Sequence, residues 1–301
     1  MDRRDPGEPP AAGRVGGGAG RAAPVPRRPG RARAVRPGWR PKLVALDLDG
    51  TVVPYGRAGT RPSLAVAAAV GRVIDAGVPV VVATGRAVPD AVDTAVALGI
   101  RGVELVCTNG AVVYDAGTAS VIHSVTVDVA PAAKALAARI PEAVFAAERA
   151  PGGFVVTDGF HREFTVGRER VVDLETLVAE PTVRLVCVAP GWDVTRMGAV
   201  AAEVLDPAEY SWDLGFSAWL DVQAPGVSKA TGTAMVCADL GIDPSDVLAI
   251  GDGTNDIELF KWVGWAVAMG QAPEVVQSFA DEVTDPVELD GCATVLSRWF
   301  P

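Results

Sequence analysis

Leu43-Val44-Ala45-Leu46-Asp47-Leu48-Asp49-Gly50-Thr51 joins four apolar residues to two carboxylates and a glycine turn. A short, wholly apolar run bounded by turn residues predicts a strand buried on both faces, as in a parallel sheet. Working outward, residues 62–76 read as a helix, with Pro62 in its first turn, Gly77 as its stop and Pro79 just beyond. Residues 78–83 read as a second buried strand, ending at Thr84-Gly85-Arg86. A helix follows to about Leu98, then a third strand over residues 104–107 ends at Thr108-Asn109-Gly110. Far downstream, a helix over 229–240 with Gly241 as its stop precedes a strand at 247–250 that ends at Gly251-Asp252-Gly253. Residues 265–269 are a last strand. This alternation predicts an α/β fold with a Rossmann-like, doubly wound parallel sheet and helices on both faces. The polar motifs all fall at the carboxyl ends of strands, the edge where such sheets bind ligands. Asp47, Asp49, Thr84, Asn109, Asp252 and Asp256 are therefore expected to meet in one crevice.

Two segments depart from this pattern. Between Gly110 and about Val222, short β-type runs at 121–129, 154–157, 163–166 and 183–188 alternate with helical stretches near 131–140 and 194–205. They read as a separate α+β insert. Residues 1–42 carry ten Arg and one Lys against Asp2, Asp5 and Glu8, with eight Gly and eight Pro. A segment so poor in large apolar residues cannot offset its ordering entropy and reads as a disordered basic tail. It lacks the apolar core of a secretory signal. The division is a tail over 1–42, a first core part over 43–125, an α+β insert over 126–221 and a second core part over 222–301.

The net charge of -10 combines that tail, at +8, with a remainder at -18. Such a remainder repels nucleic acid and anionic membrane, so neither is an expected partner. No apolar run approaches the ~18–20 residues of a membrane helix. Cys107, Cys187, Cys237 and Cys292 stand apart in apolar stretches, with no CxxC pair and two His in the chain. They read as reduced, buried residues of a cytoplasmic protein rather than a zinc site or a disulfide scaffold.

The chemistry begins at Asp47 and Asp49. The turn at Gly50 can aim both carboxylates at one point, where one attacks phosphorus and the other moves a proton. Two close carboxylates repel, so a hard cation such as Mg²⁺ is expected between them. Asp252 and Asp256 can complete the oxygen shell or support it. Thr84 and Gly85 can form a phosphate cradle, or an ordinary turn cap. Lys229 follows Ser228, a helix cap, and its ammonium can offset phosphoryl charge. The loop at 251–256 is not an EF-hand, because the twelfth position from Asp252 is Val263.

The ordered set of motifs resembles the haloacid dehalogenase-like hydrolase superfamily, in its Cof-like branch with a large type-2 cap. It comprises Asp47-Leu48-Asp49-Gly50-Thr51, Thr84-Gly85-Arg86, Thr108-Asn109-Gly110-Ala111, Gly226-Val227-Ser228-Lys229 and Gly251-Asp252-Gly253-Thr254-Asn255-Asp256. Ala268-Met269-Gly270 and Asp290-Gly291-Cys292 extend the match, which runs from residue 43 to 301. The resemblance implies a phosphoric monoester hydrolase in which Asp47 is the nucleophile that becomes an aspartyl-phosphate and Asp49 is the general acid/base. It implies Mg²⁺ held by Asp47, the main chain of Asp49, and Asp252. Thr84, Gly85, Asn109 and Lys229 are implied at the phosphoryl group, with Asn255 and Asp256 in support. Arg86 is implied either at the substrate or as a cap of the sheet edge. Gln271 stands where the family often has Asn, and Gly253-Thr254 replaces the more frequent Asn/Ser-type residues.

The expected function is Mg²⁺-dependent hydrolysis of a small phosphorylated metabolite such as a sugar phosphate. The alternatives are a phosphomutase or phosphotransferase using the same intermediate, and a non-catalytic protein binding through its basic tail. His161, Arg162, Trp212 and Trp219 are the cap's candidate contacts to the leaving group, although a surface turn for the first pair and cap packing for the aromatics are the favoured readings.

Overall fold

A computed structural model describes residues 38–55, 61–100, 104–160, 169–215 and 218–301. Most of the expected tail, residues 1–37, lies outside the described residues, as do His161, Arg162 and the strand expected over 163–166. The first five strands are β1 (Leu43–Leu46), β2 (Val80–Ala83), β3 (Glu104–Cys107), β4 (Val112–Asp115) and β5 (Ser120–Ser124). Six follow in the insert: β6 (Val144–Glu148), β7 (Phe154–Val156), β8 (Glu169–Val171), β9 (Arg184–Val188), β10 (Ser211–Leu214) and β11 (Trp219–Gln223). The chain ends with β12 (Val247–Gly251), β13 (Trp265–Ala268) and β14 (Glu282–Val283).

Among the described residues these strands form two sheets. The larger runs β14-β13-β12-β1-β2-β3-β4-β5, and the smaller runs β10-β11-β9-β6-β7-β8. β1 sits at the centre of the larger sheet, parallel to β12 and β2. Its side chains alternate between two cores. Val44 and Leu46 join Val66, Val70 and Val73 of the helix Leu64–Asp75 on one face. Leu43 and Ala45 join Ala230, Val236 and Cys237 of the helix Lys229–Leu240 on the other. All four are fully buried, which is why the run carries no polar residue. Helices on both faces confirm the Rossmann-like, doubly wound architecture.

Three details differ from the expectation. The sheet is parallel from β14 to β3, but β3, β4 and β5 form an antiparallel meander at its edge. β4 was not among the expected strands; it is a four-residue run that follows directly on the Thr108-Asn109-Gly110 turn. The residues at 38–42 belong to the folded core rather than to a tail. The Trp39 indole donates to the Ser245 carbonyl at 2.9 Å and packs edge-on against Trp299, and Lys42 pairs with Asp246 at 2.7 Å. A lone Trp in a Gly/Pro/Arg-rich segment gives no periodic signal, and its partner rings come from the distant end of the chain. Finally, β11 continues to Gln223, two residues past the expected end of the insert.

The loop after β3 is held in an uncommon backbone state. Thr108, Asn109 and Gly110 have φ of 51°, 53° and 100°. Positive φ at a β-branched residue is a strained conformation, and such residues cluster at functional sites. The cross-links that hold it are the Thr108 N–H to the Arg86 carbonyl and the Asn109 N–H to the Thr84 carbonyl, both 2.9 Å. Gly110 is required twice over, since a Cβ there would overlap the Ser228 carbonyl at the start of the Lys229–Leu240 helix. Gly77 shares the left-handed conformation, at φ +74°, but has open space around it. Gly77→Ala is expected to cost only the conformational penalty of about 1–2 kcal/mol. Gly110→Ala is expected to cost clearly more in urea unfolding, because the overlap forces the helix start away from the loop.

Candidate active site

Each loop at the carboxyl edge of the larger sheet contributes one part of the site. After β1, the N–H groups of Thr51, Val52 and Val53 all turn back to the Leu48 carbonyl, and the Gly50 N–H donates to the Val53 carbonyl at 2.8 Å. Gly50 adopts φ +79°, and a Cβ there would overlap the Asp252 carboxylate. This tight turn holds Asp47 against the end of β12, to whose Ile250 carbonyl its N–H donates at 3.0 Å.

Lys229 is the first residue of its helix, set by a capping box between Ser228 and Thr231. Its side chain is fully buried, and its Nζ lies 2.7 Å from a carboxylate oxygen of Asp47 and 2.7 Å from one of Asp256. Asp256 is also fully buried, and its second oxygen accepts the N–H groups of Asp252 and Gly253 at 3.0 and 2.9 Å. Burial alone would pull the Lys229 ammonium down, but Asp256 and Asp47 outweigh it and its pKa ends raised. Burial pushes the Asp47 carboxyl well above its ordinary range, with Lys229 opposing. Asp252 is pushed up to about 6, chiefly by burial, with the Tyr55 hydrogen bond opposing.

Asp47, Asp252 and Asp256 each place an oxygen within 4.8 Å of the other two. One buried ammonium faces three buried carboxylates, so the cluster holds uncompensated negative charge. The donors are all hard oxygens, with no thiol or imidazole among them. This set fits a hard divalent cation such as Mg²⁺. Two further side chains support it, Tyr55, which the sequence reading missed, and Gln271, which it named only as a departure from the family pattern. Tyr55 donates to Asp252 Oδ2 at 2.8 Å. Gln271 donates to the same oxygen at 3.1 Å and to the Gly50 carbonyl at 2.5 Å, and accepts the Val287 N–H at 3.0 Å. Gln271 thus spans three loops from the position where the family often has Asn. Tyr55 carried no sequence signal, since its contact depends on the turn bringing β1 beside β12.

The Asp49 side chain lies apart from this cluster. Its oxygens take a two-pronged bond from Arg86, at 2.8 Å from Nε and 2.6 Å from Nη2. Arg86 also donates to Thr94 Oγ1 at 2.9 Å. The fork-to-fork geometry fixes both side chains. Thr84 is fully buried, and its hydroxyl accepts the Arg86 N–H at 3.1 Å. Gly85, Asn109 and Asn255 gather beside it. Asn255 donates to Asn109 Oδ1 at 3.0 Å, and a Cβ on Gly85 would sit 3.0 Å from that same oxygen. All the residues singled out in the core sequence therefore surround one crevice.

The smaller sheet roofs the crevice. A cavity of about 510 Å³ lies between them, lined from the core by Asp49, Tyr55, Gly85, Arg86 and Asn109 and from the insert by Phe154, Arg184, Asp213, Trp219 and Asp221. An adjoining cavity of about 370 Å³ shares Asp49, Tyr55, Gly85, Asp213 and Asn255 and reaches Asp47 and Asp252. Buried Arg184 ties roof to floor. It pairs with Glu148 at 2.7 Å and Asp221 at 2.9 Å, and donates to the Gly85 carbonyl at 2.8 Å. Glu148 in turn accepts from the Thr108 hydroxyl at 2.8 Å. Trp219 lines the larger cavity and also packs against Phe160, and Trp212 packs against the core of the insert and lines a further cavity with Asn109, Lys229 and Asn255.

A family model for haloacid dehalogenase-like hydrolases matches residues 44–144 and 206–296. A phosphoglycolate phosphatase of Halorubrum lacusprofundi is 33% identical over 257 residues, 84% of this chain and 95% of that protein. Another from Aeropyrum pernix is 31% identical, over 85% of this chain and 92% of its own length. Among solved structures, a phosphatase of the same superfamily from Bacteroides thetaiotaomicron superposes with a TM-score of 0.71 at 28% identity, covering 89% of this chain and 98% of its own. The fold is also that of a subclass IIB sugar phosphatase, with a TM-score of 0.72 at 21% identity over 85% of this chain and 98% of the other. The chain belongs to the haloacid dehalogenase-like hydrolases, in their Cof-like branch. More particularly, it is a phosphoric monoester hydrolase of that family.

Two outcomes are expected from the cluster. Lys229→Met leaves Asp47 and Asp256 buried without their cation and should lower unfolding stability by about 3–5 kcal/mol. Millimolar Mg²⁺ should raise the melting temperature of the wild type, as any ligand of the folded state does. Asp252→Asn should abolish that rise, which differential scanning calorimetry reads without reference to activity.

Proposed function

We propose that this protein is a Mg²⁺-dependent phosphatase that hydrolyses a small phosphomonoester through an aspartyl-phosphate on Asp47. The observation that carries the reading is the buried Asp47 carboxylate, held by Lys229 at the floor of a roofed crevice. Asp47 and Asp252, with the main chain of Asp49, would hold the Mg²⁺, which would offset charge on the phosphoryl oxygens. Lys229 supplies a further positive charge beside Asp47. Thr84, Gly85 and Asn109 cradle the phosphoryl group, while Asn255 and Asp256 hold Asn109 and Lys229 in place.

In the first step an Asp47 oxygen forms a bond to phosphorus, and the bond from phosphorus to the leaving oxygen breaks. Asp49 gives its proton to that oxygen. In the second step Asp49 takes a proton from water, whose oxygen attacks phosphorus, and the bond to Asp47 breaks to release phosphate. Asp49 ends protonated, as it began, and in that state is released from the Arg86 fork that holds it in the structure. The α+β insert, expected over 126–221, acts as a cap that keeps bulk water out and contacts the leaving group. Four free, buried cysteines among the described residues support a reducing, cytoplasmic setting. No helix of the described residues is long and apolar enough to cross a membrane.

Phosphate release from a panel of sugar phosphates and nucleotides tests the reading. Release with Mg²⁺ should vanish on chelation and fall by about a thousandfold or more in Asp47→Asn. Activity retained by Asp47→Asn would refute the nucleophile. Transfer to a sugar acceptor in preference to water would make the protein a phosphotransferase instead.

A further inference from the structure

Two relatives that overlap most of the chain are named for phosphoglycolate, a phosphoester whose leaving group carries a carboxylate. An enzyme for such a substrate needs a cation that the leaving group can pair with. The roof of this crevice offers the opposite charge. From the insert, Asp213 and Asp221 face the cavity, and Asp90 joins them from the core.

The two cations that line the same cavity among the described residues are already committed. Arg86 is forked onto Asp49. Arg184 spends its donors on Glu148, Asp221 and the Gly85 carbonyl. A carboxylate entering here would meet Asp213 and Asp221, and Arg184 would have to leave Glu148 or Asp221 to pair with it. Bringing like charges together costs several kcal/mol in such a setting.

The same wall suits donors. Asp213 accepts a bond from Thr254 at 2.9 Å and lines both adjoining cavities, the second of which reaches Asp47. Asp221 accepts the Trp219 indole N–H at 2.8 Å and Arg184 at 2.9 Å. That pairing fixes the Trp219 ring as a flat wall, braced edge-on by Phe160 at 5.8 Å. Carboxylates with spare lone pairs beside an aromatic face bind hydroxyl-bearing carbon skeletons and ammonium groups. The cavity of about 510 Å³ is also large for a two-carbon leaving group and lies within the size range of pockets for larger metabolites.

We propose that Asp213, with Asp221 and the Trp219 face, selects phosphomonoesters whose leaving group carries hydroxyl or ammonium donors, and that phosphorylated carboxylic acids are rejected. The proposal rests on the phosphatase reading above and narrows it to a substrate class. Asp213 and Trp219 are specificity residues of the cap, and the chemistry at Asp47 is common to all esters.

Matched esters test it on the full chain with Mg²⁺. Phosphoethanolamine and 2-phosphoglycolate differ in bearing an ammonium or a carboxylate on two carbons. Glucose 6-phosphate, glucosamine 6-phosphate and 6-phosphogluconate make the same comparison on six. In the wild type, kcat/KM for each donor-bearing ester should exceed that of its carboxylate counterpart by about tenfold or more, a difference of ~1.4 kcal/mol. The margin separates hydroxyl from ammonium selectivity, since glucose and glucosamine esters differ in that group alone.

Asp213→Asn should narrow the margin, mainly through KM, and Asp213→Lys should reverse it, while both hydrolyse p-nitrophenyl phosphate. A wild type that turns over 2-phosphoglycolate as well as phosphoethanolamine, and 6-phosphogluconate as well as glucose 6-phosphate, would overturn the proposal. So would a margin that Asp213→Lys leaves unchanged. If p-nitrophenyl phosphate is hydrolysed in an Asp47-dependent way in either case, the phosphatase reading stands and only the cap assignment fails. If no ester is hydrolysed by folded protein, both fall together.

Discussion

The side chain of Lys229 is wholly removed from water, and the rest of the site follows from that. A buried ammonium is tolerable only beside carboxylates, and Asp47 and Asp256 supply them at 2.7 Å each. These partners come from opposite halves of the chain, so the pairing locks β1 to the loop after β12. Asp256 then uses its other oxygen to shape the Asp252-Gly253 turn. Balancing one cation with three buried carboxylates leaves the crevice negative and suited to a divalent cation.

A second buried cation performs the analogous task in the roof. Arg184 satisfies Glu148 and Asp221 within the insert and reaches across to the Gly85 carbonyl. Through Glu148 it also fixes the Thr108 hydroxyl, in the loop whose left-handed backbone presents Asn109. The loops after β2 and β3 are therefore held both by each other's backbone and by the insert. Insert and core loops thus share one hydrogen-bond network, which links them mechanically.

Much of this was legible in one dimension. Runs such as 43–46 and 247–250 are apolar without interruption because each strand is covered on both faces, and that leaves a local signature. Helix 229–240 announced itself by Ser228 before it and Gly241 after it, and it spans those residues in the structure. The motif residues were legible for a related reason. Chemistry at the carboxyl edge requires short polar tips on apolar strands, so Asp47, Thr84, Asn109 and Asp252 stand out from what precedes them. The β3–β5 meander was harder to read, because the strand over 112–115 is short and half-exposed beyond its first two residues. Trp39 was misplaced because its binding energy comes from Trp265 and Trp299, more than half the chain away.

By itself, then, the order of residues determined the layered architecture, the family and the identity of the carboxylates and lysine that gather at its edge. These depend on periodicity, caps and turn residues, which act over a few positions. Tertiary structure alone decided which side chains share each charge. That Asp49 faces Arg86, that Tyr55 and Gln271 converge on Asp252, and that Arg184 is spent within the cap are outcomes of packing between distant segments. Asp213 and Asp221 carried no signal in the sequence. Their place in the cavity walls, with the neighbouring arginines already paired, comes from packing alone, because electrostatic selectivity belongs to the arrangement of charges in space.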